Sequence, residues 1–145
     1  MISIREIAMI AVSLLVACEP ARQDEATVPG RWYTQAQVEA GRSLYADNCV
    51  VCHGADGSAT EDWRTPGADG NYPPPPLNGT AHTWHHSLDQ LDNSIGNGGT
   101  EFGGVMPGFR ALLDQSERQS IIAFIQFLWP DVIYAKWEEI NERSD

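Results

Sequence analysis

Cys49-Val50-Val51-Cys52-His53-Gly54 is the stretch around which the rest of the chain is arranged. Two thiols separated by two residues and followed at once by an imidazole form C-x-x-C-H, the signature of covalent haem attachment. The thiols add across the two vinyl groups of the porphyrin and become thioethers, and the two-residue spacer sets the reach between the vinyls. The adjacent His53 then lies beneath the iron and offers an imidazole nitrogen as proximal ligand. Shifting either Cys by one residue loses that geometry. Two other chemistries use closely spaced cysteines. A redox pair of the thioredoxin kind expects a βαβ pattern nearby, and a zinc site expects a second Cys/His pair at ligand spacing. The chain holds no second C-x-x-C.

The 145 residues suffice for one domain with one core, and 42% apolar against 20% charged residues is an ordinary globular balance. Twenty acidic side chains against nine basic ones leave a formal charge of −11. That sign argues against nucleic acid as a partner. It favours redox proteins, a donor and an acceptor, with basic docking surfaces, because complementary fields raise encounter rates. The same acidity also serves solubility alone.

The N-terminus reads as a targeting segment. Arg5 precedes an apolar run, Ile7 to Ala17, too short for a full membrane span. The run ends in Leu15-Val16-Ala17-Cys18, which resembles a bacterial lipobox. On that reading residues 1–17 are a lipoprotein signal peptide and Cys18 carries the lipid; an ordinary signal peptide cleaved near Ala17 is the alternative. The three cysteines are then all assigned, two to haem and one to lipid. Residues 18–30, polar with Pro20, Pro29 and Gly30, read as a flexible tether about 20 Å long as a coil.

Thr34 with Gln37, and Asp114 with Glu117, form capping boxes that open two helices. The first runs to about Asn48, with Val38, Gly41 and Tyr45 on one face; the second runs from Gln115 to Trp129, where Pro130 stops it. Ile121, Ile122, Ile125, Leu128 and Trp129 form its apolar stripe, with Phe124 beside it. Gly41 costs its helix roughly 1 kcal/mol against Ala, a cost that a close helix crossing would explain.

Gly41-x3-Tyr45-x3-Cys49, together with the distant Ile121-Ile122-Ala123-Phe124-Ile125, resembles class I c-type cytochromes. The resemblance covers roughly residues 33–129. It implies an all-α, cytochrome c-like fold of three to five helices around one covalently bound haem c. It also implies that Gly41 and Tyr45 meet Ile121 and Phe124 at the crossing of the terminal helices. Family members place a P-x-L ahead of the next helix, whose proline carbonyl accepts a hydrogen bond from the proximal His; Pro75-Pro76-Leu77 matches, so Pro75 is the candidate among four adjacent prolines. Met106-Pro107-Gly108-Phe109 resembles the distal-ligand loop of the family, making Met106 the second iron ligand and placing Phe109 against the macrocycle edge. Glycines 103, 104 and 108 let that loop fold tightly, and Met106 is the one methionine outside the signal segment.

Two stretches stay open. In His82-Thr83-Trp84-His85-His86, three imidazoles offer either a second metal site, a distal haem ligand, or no more than local packing near a helix capped by Ser87. Trp84 is a candidate to bond a haem propionate or cover the haem edge. Residues 131–145 extend beyond the 31–130 cytochrome domain as one further amphipathic helix, with Ile133, Trp137 and Ile140 on a face that docks back to bury Trp137.

The expectation is an electron carrier, not an enzyme: a lipid-anchored protein on the periplasmic side of a bacterial membrane, passing single electrons between redox partners through a haem ligated by His53 and Met106. The alternatives are a haem subunit of a larger oxidoreductase complex, or a small-molecule sensor in which Met106 is a labile ligand.

Overall fold

The structure, a computed structural model, describes residues 26–142. The expected signal segment 1–17, Cys18 as the expected lipid acceptor, and the first part of the expected tether lie outside the described residues. Five helices follow in order: α1 Gln35–Asn48, α2 Val50–His53, α3 Leu88–Asn97, α4 Gln115–Phe127 and α5 Asp131–Glu142, with 3₁₀ turns at Thr83–His85 and Thr100–Phe102. Among the described residues strand pairing is limited to two isolated bridges, Thr27 with Thr34 and Tyr72 with Gly104. The fold is all-α, as the resemblance implies.

Reciprocal side-chain and backbone bonds start three of these helices. Thr34 with Gln37 opens α1, Ser87 with Gln90 opens α3, and Asp114 with Glu117 opens α4. Each box satisfies two amide donors that the first helical turn leaves without partners. Helix α4 ends at Phe127, two residues short of the expected Trp129. The residue preceding a proline is pushed out of the helical region, and Pro130 imposes that on Trp129.

The centre of the fold is the crossing of α1 and α4. A Cβ on Gly41 would lie 1.8 Å from the carbonyl oxygen of Ser120 and 3.1 Å from the amide nitrogen of Ile121. The glycine thus lies against the α4 backbone at Ser120 and Ile121, at the crossing that the resemblance implies. One turn on, Tyr45 meets Phe124 edge to face, with ring centroids 5.1 Å apart. Helix α4 is buried all round from Ser120 to Gln126, not along one stripe. Helix α1 covers one side and α3 another. On a third the Trp32 indole N–H donates to Gln126 Oε1 at 2.6 Å.

Helix α3 is held to α4 by a largely buried ion pair, with side-chain exposures of 4% for Arg118 and 15% for Asp92. Arg118 donates from Nε and Nη2 to the two carboxylate oxygens of Asp92, at 2.8 and 3.1 Å, and from Nη1 to the Leu113 carbonyl at 2.7 Å. Removing one partner of such a pair strands a buried charge. Arg118→Ala is expected to lower stability by about 3 kcal/mol in chemical denaturation. The paired replacement Arg118→Met with Asp92→Leu should restore most of it; a single variant with an unchanged midpoint would show that the pair contributes nothing.

The two ends of the described chain clasp one another. Residues 27–34 close into a turn, Val28 N–H donating to the Tyr33 carbonyl at 2.8 Å, so the last residues assigned to the tether are folded. Arg31 pairs with Asp131 at the start of α5 and lies 3.8 Å over the Tyr134 ring. Helix α5 docks back through Tyr134 and Trp137, both buried, with Ile133 half-buried beside them. The buried face is thus 133/134/137 rather than one that includes Ile140, which is exposed. No described helix is long and apolar enough to cross a membrane.

Candidate haem site

Helix α2 is a single turn, and it fixes the three residues of the motif. The Cys49 carbonyl accepts from the amides of Cys52 at 3.1 Å and His53 at 2.9 Å. The Tyr45 hydroxyl donates to the Gly54 carbonyl at 2.9 Å, which ties the end of the turn to the α1–α4 crossing. Cys49 is half-buried, Cys52 is exposed, and both thiols are unpaired. Burial, with a smaller contribution from Cys52, pushes the Cys49 thiol up to about 11. Redox-active cysteines are tuned in the opposite direction, so the pair does not resemble a thioredoxin site.

His53 is buried, with Nδ1 3.0 Å from the Pro75 carbonyl oxygen. A carbonyl only accepts, so Nδ1 carries the proton and Nε2 keeps the lone pair of the neutral ring. Burial lowers the pKa of the imidazole and outweighs the raising effect of the Pro75 bond, which favours that neutral form. The result is one imidazole nitrogen fixed to backbone and the other prepared to ligate. Of the four adjacent prolines it is Pro75 whose carbonyl faces His53.

The proline segment is anchored at every carbonyl from Pro74 to Leu77. Pro74 accepts from the Thr60 amide at 3.4 Å, Pro75 from His53, Pro76 from the Thr83 hydroxyl at 3.1 Å, and Leu77 from the Trp129 indole at 2.7 Å. Thr83 and Trp129 carry no local sequence signal for this role. Trp129 reads from sequence as part of the α4 stripe, and only the tertiary fold brings its N–H to Leu77.

Met106 sits in the loop that follows α3, half-buried and packed against the core cluster. The Met106 carbonyl accepts from the Gly99 amide at 3.0 Å, and the Phe109 and Arg110 amides donate to Ile95 and Gly96 at 3.0 Å each. Gly98 makes this closure possible: it has φ +83°, and a Cβ there would lie 2.5 Å from the Met106 carbonyl oxygen. The loop is also joined to the proline segment, since the Tyr72 amide donates to the Gly103 carbonyl at 2.9 Å. The strand of chain that orients His53 and the loop that carries Met106 are therefore neighbours.

Phe109 is half-buried and its carbonyl accepts from the amides of Leu112 and Leu113, making it the pivot of the turn into α4. Trp84 is half-buried, packed on His85 at 3.8 Å between ring centroids, with Lys136 Nζ 5.9 Å from its ring. His82 stacks on Trp63 and meets His86 edge-on, while the His86 carbonyl accepts from the Trp137 indole at 2.8 Å. Among the described residues no group of three His, Cys, Asp or Glu side chains could hold a metal ion.

These residues fit a haem c: two unpaired thiols one helical turn apart, a neutral buried imidazole whose second nitrogen is bound to backbone, and a thioether in a loop closed by glycine. The comparisons with known proteins agree. Residues 36–125 match the family model described as cytochrome c oxidase, cbb3-type, subunit III. That span contains Cys49, Cys52, His53, Pro75, Trp84, Met106 and Phe109, but neither the N-terminal turn nor α5. Over 101 residues, 70% of the chain, it is 27% identical to the cbb3-type cytochrome c oxidase subunit CcoP of Cereibacter sphaeroides. The match covers 31% of that protein, so the chain corresponds to about a third of the length of this relative. No solved structure matches significantly. With more than half of its length matched and the haem motif inside the match, the chain is a c-type cytochrome and belongs to the family of cbb3-type cytochrome c oxidase subunit III.

Proposed function

We propose that this protein is a monohaem electron-carrying subunit of a membrane oxidoreductase complex of the cbb3 oxidase kind. The haem would be attached through Cys49 and Cys52, with His53 and Met106 as axial ligands. It supplies a one-electron Fe(III)/Fe(II) couple. The residues of the chain hold and orient it: Pro75 directs His53, the Gly98-closed loop presents Met106, and Phe109, Trp84 and Leu77 offer apolar cover. The observation that carries the reading is the family match over residues 36–125, which encloses the whole candidate site. From the residues alone a free carrier reads more simply. The subunit reading is better supported, because both the matched family and the CcoP relative are named as oxidase subunits.

Anchorage through a lipid on Cys18 would keep the domain at the periplasmic face of the membrane. The formal charge of −11 would steer it toward basic surfaces on its neighbours. One experiment tests the assembly. The full chain, tagged at its C-terminus, is extracted in mild detergent and assayed for co-purifying oxidase activity and for electron transfer to it. The expected result is a stable complex in which transfer is lost when Cys49 and Cys52 are both replaced by Ala. Before assembly, association should weaken as salt screens the charges. Recovery of the haem protein alone, with the oxidase fully active without it, would return the reading to a free carrier. Unmodified Cys18 in the native membrane-derived protein, seen by mass spectrometry, would remove the lipid anchor.

A further inference from the structure

The run Pro73-Pro74-Pro75-Pro76 forces an extended, polyproline-type path, because each ring fixes its own φ and restricts the residue before it. Such a segment makes no internal hydrogen bonds, and its successive carbonyls point about 120° apart around its axis. Nothing within it fixes its rotation about that axis, yet that rotation decides whether the Pro75 carbonyl faces His53. Here four consecutive carbonyls are taken: Pro74 by the Thr60 amide at 3.4 Å, longer than an ordinary hydrogen bond, and the next three by side-chain donors from three different elements. They are His53 of α2, Thr83 of the 3₁₀ turn and Trp129 just past α4. Thr83 and Trp129 are buried, and the chain around each is held in turn. The Trp129 ring packs on Trp137 of α5 with centroids 6.4 Å apart, and Trp137 bonds the His86 carbonyl three residues beyond Thr83.

We infer that Thr83 and Trp129 are positioning residues for the proximal ligand: by holding the Pro76 and Leu77 carbonyls they fix the rotation of the proline segment, and so the strength of the His53–Pro75 bond. The inference rests on the reading of His53 as a haem ligand. A shorter, better-aligned bond at Nδ1 makes the imidazole a stronger donor through Nε2, which favours Fe(III). Loosening the clamp weakens the bond and raises the reduction potential. The C-terminal helix, outside the family match, thereby gains a part in tuning the haem site through Trp137 and Trp129.

The test uses the full-length holoprotein and the variants Trp129→Phe, Thr83→Val and Thr83→Ser. Three quantities are read: the visible spectrum, the midpoint potential, and the exchange rate of the His53 Nδ1 proton by NMR of the reduced form. Trp129→Phe and Thr83→Val should each raise the potential. They should also speed exchange of that proton on the order of tenfold, as expected when one buried hydrogen bond is lost. Thr83→Ser, which keeps the hydroxyl, should stay near the parent. Trp137→Phe, which removes an indole bond of the same cluster but none to the proline segment, controls for general loosening and should move both quantities less. Parent-like potential and exchange in Trp129→Phe and Thr83→Val, with haem attached and the spectrum intact, would overturn the inference while leaving His53 as ligand. Loss of the His/Met spectrum from the parent protein itself would instead overturn the reading on which it rests.

Discussion

Gly41→Ala is expected to prevent accumulation of the folded protein. Helix propensity alone gives the opposite sign, since Ala in place of Gly in a helix interior gains about 1 kcal/mol. The added Cβ would sit 1.8 Å from the Ser120 carbonyl oxygen, an atom that belongs to α4 backbone and cannot rotate away. Relief requires the two helices to separate over the contact that also seats Tyr45 on Phe124. Overpacking that only displaces side chains costs about 1–3 kcal/mol, so a backbone clash at the centre of the fold should exceed that range. Against a total stability of about 5–15 kcal/mol the loss is decisive. The check is the yield of haem-stained protein, and the denaturation midpoint of whatever material folds. A variant as stable as the parent would show that the crossing at Gly41 is looser than described.

Met106→Ala is expected to leave the haem attached through Cys49 and Cys52 while changing its electronic character. The long-wavelength band that marks Met ligation of Fe(III) should disappear. The potential should fall by a sizeable part of the roughly 0.8 V range that axial ligands command. Carbon monoxide should then bind the reduced protein readily. His82→Ala, His85→Ala and His86→Ala should each keep the band. His82 is stacked on Trp63 and the His86 ring meets His82 edge-on, so both imidazoles are engaged in packing around the 3₁₀ turn. An unchanged spectrum in Met106→Ala, with a changed one in any His variant, would transfer the distal role to that histidine.

Much of this was legible in one dimension because its physics is local. A capping box needs two residues three apart; the boxes at Thr34 and Asp114 sit where the sequence places them, and the cap at Ser87 is a third box, with Gln90. The C-x-x-C-H motif needs only one turn of backbone, and α2 is that turn. Helix ends were less exact, since Pro130 acts on the residue before it and cuts α4 short at Phe127.

The features that escaped the sequence each depend on groups that meet from far along the chain. The Arg118–Asp92 pair joins residues 26 apart, and an arginine on α4 reads locally as a solvated residue. Gly98, which permits the loop to close on the Met106 carbonyl, is in sequence one of several glycines between Gly96 and Gly108, and only its φ and its neighbour give it that role. The folded turn at 27–34 depends on Tyr134 and Asp131, residues no local pattern links to Arg31.

The sequence by itself determined the cofactor chemistry, the helical class and the starts of the helices, because covalent reach and helix capping operate over two to four residues. Only the tertiary structure decided that α4 is enclosed on every side from Ser120 to Gln126 and that Thr83 and Trp129 hold the proline segment, whose Pro75, singled out by the P-x-L resemblance, faces His53. Those outcomes follow from the directions of backbone carbonyls and from which elements come to surround them, and neither is encoded in the spacing of residues along the chain.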